Sequence, residues 1–487
     1  MIRFAQLCKN IRPISGNVGK DLNVTGVVIN SRQVEPGNVF VAIRGFEVDG
    51  HHFVDDAIRR GAGLLVVERD IGEKSVPVVR VENSRRAAAV LANRFFDEPS
   101  RGLRLIGITG TNGKSTVTFL LESILANAGI EVGLIGTLIY RWKGNEETAA
   151  HTTPDSIELF RLLRKMRDDG VQDVVMEVSS HALALDRALG LTFESAIFTN
   201  LSRDHLDFHS SFEDYGRCKA KLFSMLSPEG CGVVNGDDAA VEWMIGEARG
   251  RIVSYGETNK DVDYRIESIE RTAGNTRFLM CKEEKKIPFE THLRGRFNVM
   301  NSAAAAITGL ELGLAEEVVR EGIYKIRIVR GRMETIDSML GFQIVIDYAH
   351  TPGALNNVLM AVREFTEKRL IVVFGCGGDR DRGKRPEMGR FVADLADIIF
   401  VTSDNPRRED PETILKDILE GIDTEKKVIT LVDRKEAIHG ALDEAREGDV
   451  VIIAGKGHET YQEIGTERFP FNDRVVVETF LGLGKEG

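Results

Sequence analysis

A glycine-rich turn between a predicted strand and a predicted helix carries the clearest chemical signal in the sequence. Residues 103–108 form an apolar run that predicts the strand, and residues 117–128 predict the helix. Glycines let several backbone N–H groups point at one phosphate, and the helix N-terminus adds partial positive charge. A lysine can reach the terminal phosphates, and a serine hydroxyl can hold Mg²⁺. The turn residues with these roles are Gly110, Thr111, Asn112, Gly113, Lys114, Ser115 and Thr116.

The turn departs from the full P-loop pattern at one position. That pattern has glycine five residues before Gly113, where this chain has Ile108, so a shorter Gly-x-x-Gly-Lys-Ser form is present. The structural alternative is a glycine turn that only caps a helix. Because Lys-Ser follows the second glycine between a strand and a helix, we interpret the turn as a nucleoside triphosphate site.

Acidic and imidazole side chains follow two further predicted strands, at residues 174–178 and 196–198. Glu177 ends the first strand, and His205 lies shortly after the second. Mg²⁺ prefers oxygen donors, and a bound triphosphate needs one or two such ions. Taken singly, Glu177 could be a helix-cap partner and His205 a loop histidine. Beside a phosphate loop, both are candidate ligands of the metal or the phosphates.

The composition excludes several classes of protein. A length of 487 residues predicts two to four domains, and a net charge of −11 argues against a general nucleic-acid binder. The sequence has no signal-peptide pattern and no apolar run of membrane-spanning length, so we expect no membrane insertion. The five cysteines lack C-x-x-C spacing, which favours reduced thiols in the cytoplasm.

The chain divides into three predicted α/β domains, at residues 1–100, 101–328 and 329–487. Apolar strand runs alternate with helical patterns in each, which predicts parallel sheets covered on both faces. Around residues 262–292 the pattern changes to alternating strands, typical of an antiparallel edge. The predicted strands of the first domain are 24–29, 39–43, 64–67 and 76–81; those of the third are 343–347, 370–374, 398–401 and 450–454.

A second group of motifs lies in the central part of the chain. Tyr215-x-x-x-Lys219-x-x-Leu222-Phe223 follows the segment NLSRDHLD at residues 200–207, and EVSSHAL spans residues 177–183. Together with the phosphate loop, these motifs resemble the Mur ligase family, the ATP-dependent amide-forming enzymes of peptidoglycan precursor synthesis. The resemblance implies that Lys219 is carbamylated and holds Mg²⁺ together with Ser115, Glu177 and His205. Cys218 stands where the family motif has alanine. The structural alternative for Lys219 is a solvated helix lysine.

The same resemblance extends to the nucleotide and to the acceptor substrate. It implies that Asn298 and Asn301 contact ATP, although either could instead cap a helix, and that DYAHTP at residues 347–352 closes over the site. The first domain would be a small α/β domain that binds a uridine nucleotide. The residues implied to bind UDP-MurNAc-dipeptide are Ser31, Thr152, Thr153, Ser179 and Arg187. Ser31 follows Asn30 rather than the usual aspartate, and Leu185 stands where some relatives have glutamine.

Residues of the third, Rossmann-like domain distinguish the amino acid to be added. The sequence DNPR at residues 404–407 resembles the signature of ligases that add meso-diaminopimelate. The segments GGDRD at residues 377–381 and GKGHE at residues 455–459 complete the resemblance to the amino-acid pocket of those ligases. Diaminopimelate ends in a second zwitterionic centre, which needs guanidinium and acidic partners. The implied pocket residues are Arg380, Asp404, Asn405, Pro406, Arg407, Gly455 and Glu459. An isolated DNPR could also be an Asn-Pro turn with a surface arginine.

The combined prediction is an ATP-dependent ligase that joins meso-diaminopimelate to the γ-carboxylate of D-glutamate in UDP-MurNAc-L-Ala-D-Glu through an acyl phosphate. Lys114, Glu177, His205 and Lys219 would be catalytic, with ATP and two Mg²⁺ ions bound, in a cytoplasmic monomer. Three alternatives remain open: an L-lysine-adding relative, a ligase similar to folylpolyglutamate synthase, and a P-loop kinase or nucleotide-gated binding module. Folylpolyglutamate synthases would be expected to lack the first domain and the DNPR motif.

Overall fold

The fold is taken from a computed structural model of the chain. The structure describes residues 2–7, 22–46, 48–272, 275–423 and 425–483, so Cys8 lies outside the described residues. Three α/β domains follow one another along the chain, each with its own sheet. Among the described residues, no helix is both long and apolar enough to cross a membrane.

The first domain contains a four-stranded parallel sheet. Every residue of its two central strands is buried, because helices cover both faces. The strands are β1 (Ile2–Arg3), β2 (Asn23–Val24), β3 (Gly26–Val28), β4 (Asn38–Val41), β5 (Leu64–Val67) and β6 (Val78–Arg80), with β1 and β2 forming a separate pair. The α-helices are α1 (Phe4–Leu7), α2 (Val54–Arg59) and α3 (Ser84–Phe95), and 3₁₀ turns occupy Ser31–Gln33, Gly50–Phe53 and Pro99–Gly102.

The central domain contains an eleven-stranded sheet. Its strands are β7 (Arg104–Thr109), β8 (Val132–Ile135), β9 (Ile139–Trp142), β10 (Asn145–Thr148), β11 (Asp173–Glu177), β12 (Phe193–Phe198), β13 (Leu226–Asn235), β14 (Arg251–Gly256), β15 (Tyr264–Arg271), β16 (Thr276–Lys282) and β17 (Lys285–Thr291). Their order is β10-β9-β8-β11-β7-β12-β13-β14-β15-β16-β17, and β7 is central, between β11 and β12. The predicted antiparallel edge is present as β15, β16 and β17. A second antiparallel hairpin, β9 and β10, closes the opposite edge.

Helices cover both faces of the central sheet. They are α4 (Lys114–Asn127), α5 (Ser156–Asp168), α6 (Ser180–Ala184), α7 (Phe212–Ser224), α8 (Val241–Glu247), α9 (Arg296–Glu311) and α10 (Glu316–Lys325). Helix α4 begins at Lys114 rather than at residue 117, because the polar Lys-Ser-Thr residues of the loop form its first turn. The lysine and the serine are therefore part of the helix N-terminus that faces the loop.

The third domain has a six-stranded sheet in the order β18-β19-β23-β20-β21-β22, parallel except for β18. The strands are β18 (Glu334–Asp337), β19 (Gln343–Asp347), β20 (Leu370–Phe374), β21 (Ile398–Val401), β22 (Lys427–Thr430) and β23 (Val450–Ala454), followed by the hairpin β24 (Tyr461–Ile464) and β25 (Glu467–Pro470). The helices are α11 (Pro352–Arg363), α12 (Lys384–Leu395), α13 (Pro411–Leu419), α14 (Arg434–Glu444) and α15 (Asp473–Phe480). In such sheets, the loops at the carboxyl ends of the strands form the ligand site.

Candidate active site

Two glycines of the phosphate loop have backbone conformations that exclude side chains. Gly110 has a φ of +144° and Gly113 a φ of +86°. A Cβ atom at Gly110 would overlap the Thr199 hydroxyl, and one at Gly113 would overlap the Asn301 side-chain amide. The loop is therefore a tight turn, in which the Thr111 and Asn112 N–H groups donate to Asn200 and the first turn of α4 faces the loop.

Lys114 opens helix α4 and folds back over the loop. Its Nζ donates hydrogen bonds to the carbonyl oxygens of Gly110, at 3.0 Å, and Thr111, at 2.9 Å. Burial lowers the pKa of Lys114, and the positive charge of Arg332 lowers it further, although the Glu177 carboxylate opposes both effects. The ammonium thus has backbone carbonyls for hydrogen-bond partners, which leaves its charge available to a phosphate. These features fit a triphosphate ligand.

Lys219 lies next to Lys114, in the interior rather than in solvent. Its side chain on α7 is 1% exposed, and Nζ donates to the Gly110 carbonyl oxygen at 2.8 Å. The same Nζ lies 4.4 Å from the centre of the Tyr215 ring. Burial holds the pKa of Lys219 well below its usual value, and the nearby charge of Lys114 lowers it further. The neutral amine, the form that reacts with CO₂, is therefore favoured.

Glu177, at the end of β11, is a buried carboxylate that does not cap a helix. Its two oxygens accept hydrogen bonds from the Thr137 backbone N–H, at 2.9 Å, and the Thr137 hydroxyl, at 3.0 Å. The Ser115 hydroxyl, at the start of α4, accepts a 3.3 Å bond from Arg332 of the third domain. Oxygen donors of this kind fit a magnesium ion.

His205 has a left-handed backbone conformation, with a φ of +56°. Its Nε2 lies 3.3 Å from Oδ2 of Asp204. Burial lowers the pKa of His205 to about 2, against the opposing charge of Asp204, so the imidazole is neutral. A neutral imidazole keeps a ring-nitrogen lone pair that can bind a metal ion.

Asp204 connects the central domain to the third domain, a role that was not predicted from the sequence. Its carboxylate lies 3.8 Å from Nζ of Lys384 and 4.0 Å from Nε2 of His350. Burial raises the pKa of Asp204, but the charge of Lys384 and the His205 backbone N–H, which donates to the carboxylate at 2.9 Å, help to hold the pKa below its usual value. An ion pair between the partly exposed Arg203 and Asp381, at 2.8 Å, spans the same interface.

A cavity of about 210 Å³ lies beside the phosphate loop, between the central and third domains. Asn301 lines this cavity, and its amide nitrogen donates to Asn298 at 3.0 Å. Neither asparagine is the helix cap, because Gly295 is the residue that precedes the first turn of α9. Asn298 instead donates to the Arg294 carbonyl oxygen at 2.8 Å.

Two further residues of this cavity, Arg332 and Asp347, were not assigned from the sequence. The Arg332 guanidinium lies 4.7 Å from the centre of the Tyr348 ring, and its Nε is buried without a hydrogen-bond partner among the described residues. Burial raises the pKa of Asp347 to about 6, against the charge of Arg332, while its carboxylate accepts the Met333 N–H at 2.6 Å. An incompletely bonded guanidinium beside the loop is a further cation for an anionic ligand. The sequence signal for Asp347 is its place at the start of the DYAHTP motif, and Arg332 lies near the start of the third domain.

A larger cleft of about 640 Å³ separates the first domain from the central domain. Ser31, at the start of a 3₁₀ turn, and Arg187 lie on its opposite walls, with Leu185 also in the lining. Arg187 donates to the Thr153 carbonyl oxygen at 2.8 Å.

Hydrogen bonds run from this cleft to Glu177. The Thr153 hydroxyl donates to the Glu177 carbonyl oxygen at 2.8 Å and accepts the Ser179 backbone N–H at 3.0 Å. The Thr137 hydroxyl lies 3.0 Å from the Thr152 hydroxyl. Thr152, Thr153, Ser179 and Arg187 thus form a connected group that reaches Glu177, and Ser31 lies across the cleft from Arg187.

The third domain gathers acidic and amide groups at the carboxyl ends of β21 and β23. Asn405 donates to Oε2 of Glu459 at 2.9 Å, and the buried Lys456 donates to that same oxygen at 2.8 Å. Burial raises the pKa of Glu459, and the neighbouring Asp404 charge raises it further, although Lys456 opposes this. Gly455 has a φ of +118°, and a Cβ there would lie 2.6 Å from Oδ2 of Asp404. Lys456 was not predicted as part of this pocket.

The side chains of Arg407 and Arg380 both lie beside Gly377 at the same site. A Cβ on Gly377 would lie 3.0 Å from Nη1 of Arg407 and 3.8 Å from Cγ of Arg380. Arg407 follows Pro406, has a φ of +51°, and pairs with Glu463 at 3.1 Å and with the Gly378 carbonyl oxygen at 2.8 Å. Arg380 is more exposed. The DNPR segment is thus a structured pocket wall, and Glu463 is a partner that sequence reasoning missed.

Comparison with known protein families gives three matches in chain order. The models describe the Mur ligase family catalytic domain, over residues 23–96, the Mur ligase middle domain, over residues 108–309, and the Mur ligase glutamate ligase domain, over residues 331–457. Together these matches span most of the chain. The chain belongs to the Mur ligase family.

Similar proteins of this family align over nearly the whole chain. The UDP-N-acetylmuramoyl-L-alanyl-D-glutamate–2,6-diaminopimelate ligase of Geobacillus kaustophilus is 44% identical over 466 residues, which cover 94% of this chain and 95% of that protein. The ligase of the same name from Aquifex aeolicus is 43% identical over 467 residues, covering 95% of both chains. A solved structure of a ligase of this name covers 99% of both chains, with a TM-score of 0.68 and 33% identity.

More distant structures share the fold of this Mur ligase. MurF from Thermotoga maritima, solved with ADP, is 21% identical and covers 96% of this chain and 99% of its own, with a TM-score of 0.65. Folylpolyglutamate synthase from Mycobacterium tuberculosis covers only 76% of this chain but 92% of its own, with a TM-score of 0.62. As a Mur ligase, the chain is an ATP-dependent enzyme that forms amide bonds, and the P-loop kinase and nucleotide-gated module are thereby excluded.

Proposed function

We propose that this Mur ligase adds meso-2,6-diaminopimelate to the D-glutamate γ-carboxylate of UDP-N-acetylmuramoyl-L-alanyl-D-glutamate. The relatives named for this reaction support the proposal over the full length of the chain. The observation that carries it is the pocket of the third domain, where the Arg407 guanidinium and the Arg380 side chain lie beside Gly377, and the carboxylates of Asp404 and Glu459 lie nearby. A ligand with both a carboxylate and an ammonium at its far end matches that charge pattern.

The phosphate loop would hold ATP with its terminal phosphate between Lys114 and the first turn of α4. Lys114 then offsets the charge that spreads over the transferring phosphoryl group. The acceptor carboxylate would arrive along the path of Thr152, Thr153 and Ser179. Its oxygen attacks the terminal phosphorus, the bond to ADP breaks, and an acyl phosphate results.

The amine would approach from the third domain. Asp404 and Glu459 would orient the ammonium of the distal centre, while Arg380 and Arg407 would bind its carboxylate. The reacting amino group, after loss of a proton, attacks the acyl carbon; the C–N bond forms and inorganic phosphate leaves. The contacts from Asp204 to His350 and Lys384 hold the third domain against the central domain, which keeps the two half-sites facing each other.

The oxygen and imidazole groups around the loop fit a magnesium ion. Ser115, Glu177, His205 and a carbamate on Lys219 would hold it, and the ion would neutralise phosphate charge. An ammonium on Lys219 would repel the ion, whereas a carbamate supplies carboxylate-like oxygens. We further propose that the enzyme works as a monomer in the cytoplasm, which sedimentation and cell fractionation would test.

An L-lysine-adding ligase is the second candidate, because lysine has the same reach as diaminopimelate but lacks the distal carboxylate. Phosphate release measured with UDP-MurNAc-dipeptide and a panel of amino acids separates the two. We expect release only when the nucleotide dipeptide and diaminopimelate are both present. Equal release with lysine would contradict the assignment of the amino acid while leaving the ligase assignment intact.

A further inference from the structure

A histidine, a carboxylate and a thiol converge beside the helix that carries Lys219. The described part of the chain contains this one group whose ligand atoms could hold a metal ion: His209, Asp214 and Cys218 lie with those atoms within 4.8 Å of one another. Asp214 and Cys218 are one turn apart on α7, and His209 comes from the segment that precedes the helix. None of the three has a role in the proposed ligase reaction.

The distances approach those of a tetrahedral zinc site. Nδ1 of His209 lies 3.6 Å from Oδ2 of Asp214, and Sγ of Cys218 lies 3.9 Å from Oδ1 of Asp214. Bonds of about 2.0 Å to nitrogen or oxygen and about 2.3 Å to sulfur place tetrahedral ligand atoms about 3.3–3.6 Å apart. The two pairs that share Asp214 therefore exceed these separations by a few tenths of an ångström, and the imidazole and the thiol, which lie within 4.8 Å of each other, would have to approach by up to about 1.3 Å to complete the three-ligand set.

The histidine ring is held in an orientation suitable for ligation. Nε2 of His209 lies 3.0 Å from the Ser180 hydroxyl oxygen. When Nε2–H donates to that oxygen, the lone pair of Nδ1 points toward Asp214, which is the arrangement found for metal-binding histidines. The ring is also packed between Phe208, at 4.8 Å, and Tyr215, at 5.1 Å between ring centres.

The site is open to solvent through one ligand. The His209 side chain is 1% exposed, whereas that of Asp214 is 44% exposed. An ion can therefore enter past Asp214, and a water molecule can fill the fourth position. Because the thiol replaces the alanine usual at residue 218 of the motif, the sulfur ligand is a feature of this chain.

We propose that His209, Asp214 and Cys218 form a binding site for Zn²⁺. On binding, a sulfur–metal bond replaces the S–H bond of Cys218, and the proton passes to solvent. A thiolate with an imidazole selects a borderline-soft ion such as Zn²⁺ over Mg²⁺, so the site would remain distinct from the magnesium ligands at the phosphate loop. The ion would tie the segment after His205 to the helix that carries Lys219.

Cobalt substitution of the full-length enzyme tests this proposal. Protein freed of metal with a chelator is titrated with Co²⁺ in excess Mg²⁺, and the ultraviolet thiolate-to-cobalt charge-transfer band is recorded. We expect the band to saturate at one Co²⁺ per chain and to disappear when Zn²⁺ is added. Cys218→Ala should lose the band completely, and it should retain ligase activity because it introduces the usual residue of the motif.

Cys231→Ala is the matched control, because this buried cysteine lies outside the proposed metal-binding group and its sulfur lies 4.0 Å from the Gly232 carbonyl oxygen. It should keep the band unchanged, and Asp214→Asn should bind Co²⁺ more weakly than wild type. A wild-type protein without the band, or a band that persists in Cys218→Ala, would overturn the proposal. Retained activity of Cys218→Ala shows that the variant is folded, so loss of its band reports on the ligand.

Discussion

Lys114 and Lys219 donate to the same atom, the carbonyl oxygen of Gly110, at 3.0 and 2.8 Å. Positive charge on both lysines would be repulsive in this buried site. Burial lowers the pKa of each lysine, and the charge of Lys114 lowers that of Lys219 further. The repulsion ends if one lysine becomes neutral or acquires a negative charge. Phosphate would stabilise Lys114 as the cation, and CO₂ would convert Lys219 to an anion.

Lys114→Ala should abolish ligation, because the cation at the terminal phosphate is removed while the glycine cradle remains. We expect phosphate release to fall by at least about a thousandfold, the range found when a cation at a transferring phosphoryl group is lost. Lys221→Ala, on the exposed face of α7, is the control and should retain wild-type turnover. A folded Lys114→Ala enzyme with near-wild-type activity would show that the loop is not catalytic.

Lys219→Ala should lose activity, and added formate or acetate should restore part of it. The variant leaves a cavity where the carbamate would lie, and a small carboxylate can occupy that space and supply the missing oxygens. Intact-mass measurement of the native enzyme under gentle conditions should show an added CO₂. An active, Mg²⁺-loaded enzyme with an unmodified Lys219 ammonium in a crystal structure would refute this role.

Arg407→Ala should reduce the preference for diaminopimelate over lysine. Lysine would leave the guanidinium without its carboxylate, at a cost of about 2–5 kcal/mol for a buried charge, or about 30- to 4,000-fold. The pairing of Arg407 with Glu463 compensates part of that charge, so we expect the lower end of the range. The ratio of kcat/KM for the two amino acids measures the change.

For Arg407→Ala, the KM for ATP should remain nearly unchanged, since the arginine acts on the amine substrate alone. Arg390→Ala, at an exposed position of α12, should leave the ratio intact. If Arg407→Ala keeps the wild-type preference, another group reads the distal carboxylate.

The stability of the Asp347→Asn variant, compared with that of the wild-type protein at the same pH, should increase as pH rises from 4 to 7. Burial raises the pKa of Asp347 from 3.8 to about 6, so the folded state holds the proton more tightly than the unfolded state. Its contribution to stability is fully present below pH 3.8 and is lost as pH rises through about 6, a difference of about 3 kcal/mol. Asparagine cannot ionise and keeps a carbonyl oxygen for the Met333 N–H.

The difference in Tm between Asp347→Asn and wild type, measured at several pH values, checks this prediction. Asp337→Asn, on the exposed face of β18, is the control for replacing a surface carboxylate by an amide. A pH-independent difference for Asp347→Asn would mean that the carboxyl has an ordinary pKa in the folded protein.

Local sequence determined most of the sheet structure of this protein. The predicted strands at residues 343–347, 370–374, 398–401 and 450–454 coincide with β19, β20, β21 and β23. Strands buried on both faces of a parallel sheet are continuous apolar runs bounded by polar turns, so the pattern itself marks their ends. The phosphate loop could also be predicted from the sequence, because its glycines, lysine and serine lie within one short segment of the chain.

Tertiary structure decided which side chains meet and how they ionise. Lys219 is 109 residues from Gly110, and only the position of β7 at the centre of the sheet brings α7 over the loop. Asp204 contacts His350 and Lys384 only because the central and third domains pack against each other. Arg407 pairs with Glu463 because the hairpin β24–β25 lies beside the DNPR segment. Sequence patterns record local periodicity and composition, whereas burial and the distances between charges depend on strand order and domain packing.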